Sequence, residues 1–160
     1  MEAAQYDRRV IVQRGHNVRE IEISVLGNDQ PEASVPGEIV PGAEFYSYES
    51  KYHDDRSVSH IPADITAEQA ALVKTIAIRA YKACDLAGMA RVDFFVDKDS
   101  GAVLLNEINT IPGFTRISMY PMLWQASGME GPQLVDRLIA LALERQADRQ
   151  ATTHEFRRGN

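Results

Sequence analysis

The spacing of apolar positions divides the chain into strands first and helices later. Residues 10–13, Val-Ile-Val-Gln, make a short β-favouring run, and Gly15, His16 and Asn17 predict a turn after it. Residues 19–26 alternate strictly, with Ile21, Ile23 and Val25 on one side and Glu20, Glu22 and Ser24 on the other, the period of a half-buried strand. Gly27, Asn28 and Asp29 supply a tight turn. Residues 33–40 resume strand character, with Pro36 and Gly37 imposing a bend or an edge position. Periodicity then fails over residues 41–62, where Tyr46, Tyr48, Tyr52 and His53 sit among Ser, Asp and Glu. An irregular stretch of that length reads as a binding lid or an Ω-type loop, and its aromatic content argues against disorder.

The period next becomes helical. Thr66-Ala67-Glu68-Gln69 forms a capping box. Leu72, Val73, Ile76, Ala80, Tyr81 and Cys84 form an apolar stripe, and Gly88 is the expected stop. Cys84, on that stripe, reads as a packing residue. A hairpin follows, with Asp99-Ser100-Gly101 as a three-residue connection and Gly101 in the left-handed position. This register pairs Lys98 with Ala102 and sets Asp93 opposite Glu107. Alternation then gives one face Arg91, Asp93, Glu107 and Asn109, and gives the core Val92, Phe94, Val96, Leu104 and Ile108. After a Pro112-Gly113 turn come a short helical piece at residues 123–126 and a last helix from Pro132, with Leu134, Val135, Leu138, Ile139 and Ala142 inward. Residues 148–160 are polar and expected to fray, leaving residues 1–147 as one domain. The order predicts an α+β fold, an antiparallel sheet with packed helices, and no glycine-rich dinucleotide or phosphate loop is present.

Composition narrows the function. A chain of 160 residues, 44% apolar and 25% charged, supports one core. A net charge of −6 without a basic stripe argues against nucleic acid. No apolar run approaches the roughly 20 residues that span a bilayer, and the polar start of the chain has no signal-peptide pattern, so no membrane partner is expected. One cysteine fits a reducing compartment, and a cytoplasmic location is expected.

The hairpin face carries the candidate chemistry. Two carboxylates side by side repel unless a cation lies between them. Asp93, Glu107 and Asn109 offer oxygen ligands suited to a hard divalent cation such as Mg²⁺, the usual companion of a nucleotide phosphate. A solvated acidic face is the alternative reading of the same spacing. Arg91 and the turn at Gly113, Phe114 and Thr115 add a cation and free backbone N–H groups, a combination suited to anionic chemistry. His16, His53, His60 and His154 have no metal-ligand spacing, and Trp124 and Phe114 read as packing residues.

Arg91-Val92-Asp93 with Asn106-Glu107-Ile108-Asn109-Thr110-Ile111-Pro112-Gly113-Phe114-Thr115 resembles the signature of the D-alanine–D-alanine ligases of the ATP-grasp superfamily. Arg19-Glu20-Ile21-Glu22, Val35-Pro36-Gly37-Glu38-Ile39, Phe45-Tyr46-Ser47-Tyr48-Glu49-Ser50-Lys51-Tyr52 and Ser118-Met119-Tyr120-Pro121 extend the resemblance across residues 10–142. It implies the C-terminal portion of an ATP-grasp fold and an ATP-dependent ligation through an acyl phosphate, serving peptidoglycan synthesis, the cell wall and cell shape. Under that resemblance Asp93, Glu107 and Asn109 would hold two Mg²⁺ (or Mn²⁺) ions, with Glu107 bridging. Arg91 and the Gly113 N–H would stabilise the oxyanion formed when the second D-alanine attacks. Ser118 and Met119 would receive that D-alanine's carboxylate. Glu20 would bind the ATP ribose and Gln13 the adenine, at a position where many members carry Glu. Lys51 would face phosphate, and Tyr52 would anchor a lid over residues 41–62.

The family's enzymes are about twice this length. Their N-terminal half, which supplies the first D-alanine site and the glycine-rich loop that grips ATP, has no counterpart here, so the isolated chain is expected to be inactive. A homodimer is expected of the full-length form. Two alternatives stay open: a non-catalytic Mg-nucleotide binding module, and another ATP-grasp carboxylate–amine ligase.

Overall fold

The computed structural model describes residues 3–12, 14–40 and 58–151. Its frame is a six-stranded, wholly antiparallel sheet. The strands are β1 (Val18–Gly27), β2 (Glu32–Ala33), β3 (Gly37–Val40), β4 (Val58–His60), β5 (Gly88–Asp97) and β6 (Val103–Asn109). Their spatial order is β4-β3-β1-β5-β6, and β2 continues the β3 side of β1 by pairing Val25 with Ala33. Helix α1 (Ala67–Ala83) precedes β5; α2 (Met119–Ala126) and α3 (Gly131–Ala151) close the described chain.

One face of the sheet holds the main core. Ile21, Ile23 and Val25 of β1 and Val92, Phe94 and Val96 of β5 meet Val73, Ala77 and Tyr81 of α1. The buried Tyr81 hydroxyl donates to the Gly27 carbonyl at 2.8 Å, which fastens α1 to the end of β1. The start of α1 matches its sequence signature: the Gln69 N–H donates to Thr66 Oγ1 and the Thr66 N–H to Gln69 Oε1. The opposite face is covered at one end, where Leu26 packs with Tyr120, Trp124, Leu134 and Leu141 of α2 and α3. β1 is therefore enclosed from both sides. Glu22 and Ser24, assigned by alternation to a polar face, are buried at 7% and 0% exposure.

The structure corrects several expectations. Residues 10–12 are irregular and exposed rather than a strand. Helix α1 is capped at Cys84, and Gly88 opens β5 instead of closing the helix. Cys84 is exposed, so it does not pack. Leu72 is also exposed, because α1 turns Val73, Ala77 and Tyr81 to the sheet. α3 begins at Gly131 and continues to Ala151, within the stretch expected to fray. It buries Leu134 and Leu141 but exposes Val135 and Ile139, since only a narrow stripe of α3 meets the sheet. Of the expected lid, residues 41–57 lie outside the described residues; residues 58–60 are strand β4, paired with β3.

Candidate functional site

Strand pairing builds the site. β1, β5 and β6 lie side by side, and their register aligns Glu22, Asp93 and Glu107 in one cross-strand row and Ser24, Arg91 and Asn109 in the next. Directly paired residues share a face. These six side chains therefore stand together on the face opposite α1, at the border of the patch covered by α2.

The opposition of Asp93 and Glu107 is present, but it arises by a different route from the one expected. Gly101 does take the left-handed conformation (φ 72°). Near the turn, however, the Asp97 N–H donates to the Ala102 carbonyl, and Val96, Phe95 and Phe94 pair with Val103, Leu104 and Leu105, one residue out from the predicted register. A bulge between Asp93 and Phe94 takes up the extra residue and restores the Asp93–Glu107 pairing. The shift also corrects the core assignment. Leu104 is partly exposed on the site face, and Val103 packs against the core in its place.

Arg91 organises the row. Its Nε donates to Asp93 Oδ1 and its Nη2 to Asp93 Oδ2, both at 2.8 Å, a bidentate fork. The same Nε lies 3.0 Å from Glu22 Oε2. Burial pulls the Arg91 pKa down, but the Asp93 hydrogen bond and the charges of Glu22, Asp93 and Glu107 outweigh it and raise it further. Asn109 Nδ2 donates to Asp93 Oδ2 at 2.9 Å and to Glu107 Oε1 at 3.2 Å, linking the two facing acids. Among the described residues the carboxylates of Glu22, Asp93 and Glu107 outnumber the one guanidinium they surround.

That surplus and the oxygen donors suit a divalent cation. Among the described residues no three His, Cys, Asp or Glu side chains converge to hold a metal by themselves. A site for Mg²⁺ need not have them, because this ion is commonly bound by one or two carboxylates together with substrate phosphates. Asp93 and Glu107 supply the carboxylates, and a half-turn of the Asn109 amide would present Oδ1 instead of Nδ2.

Glu20 lies two residues before Glu22 on the same face, paired with Phe95 on one side and Ile39 on the other; Phe95 in turn pairs with Leu104. A carboxylate beside an apolar bed is a fitting arrangement for a nucleoside, whose base is flat and apolar-faced and whose ribose carries hydroxyls.

Directly after β6 the chain makes the turn that carries Gly113 and Ser118. The Thr115 N–H donates to Ser118 Oγ at 3.0 Å, Thr115 Oγ1 lies 2.8 Å from the same oxygen, and the Ser118 N–H returns to the Thr115 carbonyl. A Cβ on Gly113 would lie 2.9 Å from Ser118 Oγ, so a methyl group there would have to displace the Ser118 hydroxyl. Ser118 sits at the N-cap of α2 without capping it, because its hydroxyl is turned to Thr115. Met119 is buried at the start of α2, leaving its backbone as the part suited to binding. The buried Ser24 hydroxyl donates to the Tyr120 carbonyl at 3.2 Å, tying the first turn of α2 to the row that contains Arg91.

The structure thus brings Arg91, Asp93, Glu107 and Asn109 into one cluster, places Glu20 on the same face, and puts Gly113, Ser118 and Met119 on the turn that follows β6. Gln13, Lys51 and Tyr52 lie outside the described residues. Sequence reasoning missed Glu22 and Thr115. Glu22 gave a usable signal, its alternation with Ile21 and Ile23, but its importance depends on β1 lying beside β5, which that pattern does not encode. Trp124 is buried in the core as expected, whereas Phe114 is exposed and only touches Tyr120, with the ring centroids 5.9 Å apart.

The profile of the family described as D-ala D-ala ligase C-terminus matches residues 1–140. The chain belongs to this family. A D-alanine–D-alanine ligase of Geobacillus kaustophilus (strain HTA426) is 54% identical over 158 residues, covering 99% of this chain and 43% of that protein. One from Clostridium acetobutylicum is 55% identical over 144 residues, covering 90% and 42%. The solved D-alanine–D-alanine ligase of Coxiella burnetii superposes with a TM-score of 0.79 at 45% identity, over 93% of this chain and 38% of the other. The VanG D-Ala:D-Ser ligase of Enterococcus faecalis gives 0.70 at 37% identity, over 80% and 37%. The chain therefore spans about two fifths of the length of the curated relatives it matches and corresponds to their C-terminal part. Its sheet and helices are those of the ATP-grasp ligase fold.

Proposed function

We propose that this chain is the metal-binding and acceptor-binding part of an ATP-dependent D-alanine–D-alanine ligase, whose product is the D-Ala–D-Ala unit of peptidoglycan. The observation that carries the reading is the cross-strand row of Glu22, Asp93 and Glu107 around Arg91, next to the Gly113–Ser118 turn. A pure nucleotide binder has no need of that turn, whose hydroxyls and backbone N–H groups suit an amino-acid carboxylate.

In this reading Asp93, Glu107 and Asn109 hold two Mg²⁺ ions, for which Mn²⁺ can stand in. Bound there, the metal supplies charge neutralisation for the phosphates of ATP and for the acyl phosphate. Arg91 supplies the fixed positive charge next to the carbonyl oxygen that becomes anionic on attack, with the Gly113 N–H as second donor. Ser118 and the backbone at Met119 receive the acceptor carboxylate. Glu20 takes the ribose hydroxyls. Gln13 at the adenine, Lys51 at the phosphates and Tyr52 as an anchor over the site rest on the sequence motif alone. One similar structure is named as a D-Ala:D-Ser ligase; D-alanine as acceptor is the proposal here. A homodimer of the full-length form and a cytoplasmic location belong to the same proposal. Among the described residues no helix is long and apolar enough to cross a membrane.

The test is a fusion of this chain to the preceding part of the Geobacillus kaustophilus relative. D-alanine-dependent phosphate release is expected, falling about 10²–10³-fold on Arg91→Ala. Nucleotide turnover that ignores D-alanine would favour a ligase with another acceptor. Nucleotide binding without turnover would favour a non-catalytic module.

A further inference from the structure

Arg91 and Asp93 have conflicting duties in the function just proposed, and the structure holds a means of resolving them. Both Asp93 oxygens are engaged: Oδ1 by Arg91 Nε, and Oδ2 by Arg91 Nη2 and Asn109 Nδ2. These three bonds use most of the carboxylate's lone-pair sites, so an ion that takes an Asp93 oxygen competes with the fork for it. A guanidinium that loses its carboxylate in a largely buried site faces a desolvation cost that only another acid can offset.

Glu22 stands in that position. It is paired with Asp93 across β1 and β5, is 7% exposed, and lies 3.0 Å from Arg91 Nε while Arg91 still holds Asp93. It belongs to β1, two strands from Glu107, so roughly 9–10 Å of sheet separates the two backbones. Glu107 faces Asp93 from the other side. The row thus offers acids to both cations: Glu107 and Asp93 to an ion, and Glu22 to Arg91.

We propose that Glu22 is a positioning residue, a standing counter-ion that lets Arg91 release Asp93 to a divalent cation while the guanidinium stays in place. The inference rests on the metal reading of the hairpin and goes beyond it, because it assigns work to a residue on a different strand that holds no ion. Without Glu22, Asp93 is the carboxylate left at hydrogen-bond distance of Arg91 among the described residues, and Arg91 competes with the ion for it.

The experiment is a double-mutant cycle read in metal affinity, by isothermal titration of MnCl₂ into the purified chain. Circular dichroism checks that each variant is folded. Glu22→Gln is expected to weaken Mn²⁺ binding about tenfold, the order seen when an outer partner of a metal ligand is removed. Arg91→Met is expected to bind as tightly as the unmodified chain or more so. The double variant is expected to match Arg91→Met within about twofold, since the competitor that Glu22 restrains is gone. If Arg91→Met does not fold, Arg91→Lys replaces it. An ammonium cannot form the bidentate fork, so the loss caused by Glu22→Gln should shrink there as well.

An equal loss in both backgrounds would mean that Glu22 acts through its own charge on the ion, and would overturn the proposal. So would an unchanged affinity for Glu22→Gln. Failure of the unmodified chain to bind Mn²⁺ at millimolar concentration would remove the metal reading itself, an outcome distinct from the other two.

Discussion

At the scale of single residues, the Gly113–Ser118 turn gives the sharpest consequence. Ser118 Oγ is held by the Thr115 N–H and hydroxyl at 3.0 and 2.8 Å, and a methyl group at position 113 would come within 2.9 Å of it. Gly113→Ala must therefore push the Ser118 hydroxyl out of place. Gly113 is itself exposed, so folding stability should change by only about 0.5 kcal/mol or less. Binding is where the cost should fall. In the fused ligase the KM for the acceptor D-alanine is expected to rise at least tenfold, since misplacement of a positioning group by about 1 Å can cost up to 10²-fold. An unchanged acceptor KM would show that Ser118 does not meet the substrate. Thr115→Val tests the same contact from the other side. It keeps the backbone N–H donor and deletes the hydroxyl, and a smaller rise in KM is expected.

At the scale of elements, the capping box of α1 provides a stability prediction. Both reciprocal bonds between Thr66 and Gln69 are present, so Thr66→Ala should cost about 1 kcal/mol in chemical denaturation, with the slope unchanged. A cost below about 0.3 kcal/mol would mean that the cap adds nothing beyond solvent. The cap and the hairpin turn show what was legible in the sequence. Thr66-Ala67-Glu68-Gln69 and the left-handed Gly101 are local chemistry, and both are present, although the hairpin closes on Asp97 and Ala102 and not on Lys98 and Ala102. The pairing of Asp93 with Glu107 was legible only through two departures that cancel, a shifted turn and a bulge at the site. Bulges depend on how a strand must bend against its neighbours, and no residue in the stretch announces one. Leu104 was misassigned for that reason. Cys84, Leu72, Val135 and Ile139 were misassigned because an apolar stripe gives a helix's period but not how narrow its contact with the sheet will be. The burial of Ser24 was likewise hidden, because α2 arrives from a part of the chain some hundred residues away.

At the scale of the whole molecule, the sheet is held between β1 and β3 by charge as well as by strand pairing. Arg19 donates to Glu38 through Nε and Nη2 at 2.7 and 2.6 Å, joining β1 to β3, and this hydrogen bond is the largest cause that lowers the Glu38 pKa below its ordinary 4.5. A carboxylate with a lowered folded pKa stabilises above its unfolded value, and that stabilisation is lost as pH falls through the folded value. Glu38→Gln should therefore melt below the unmodified chain at pH 7. The gap should close as the pH drops below about 4.5, which thermal unfolding across a pH series will show. A gap independent of pH would mean that Glu38 contributes by packing and not by its charge. The whole chain also covers only about two fifths of its relatives, so D-alanine-dependent phosphate release by the isolated chain is expected to be absent.

In the proposed function, the face shared by β5 and β6 gathers oxygens for a divalent cation bound with nucleotide phosphate. Isothermal titration of ADP into the chain, with and without Mg²⁺, tests it most directly. Binding is expected to require Mg²⁺ and to disappear in both Asp93→Asn and Glu107→Gln, with each variant still folded. Binding that is the same without Mg²⁺, or that survives both substitutions, would contradict it.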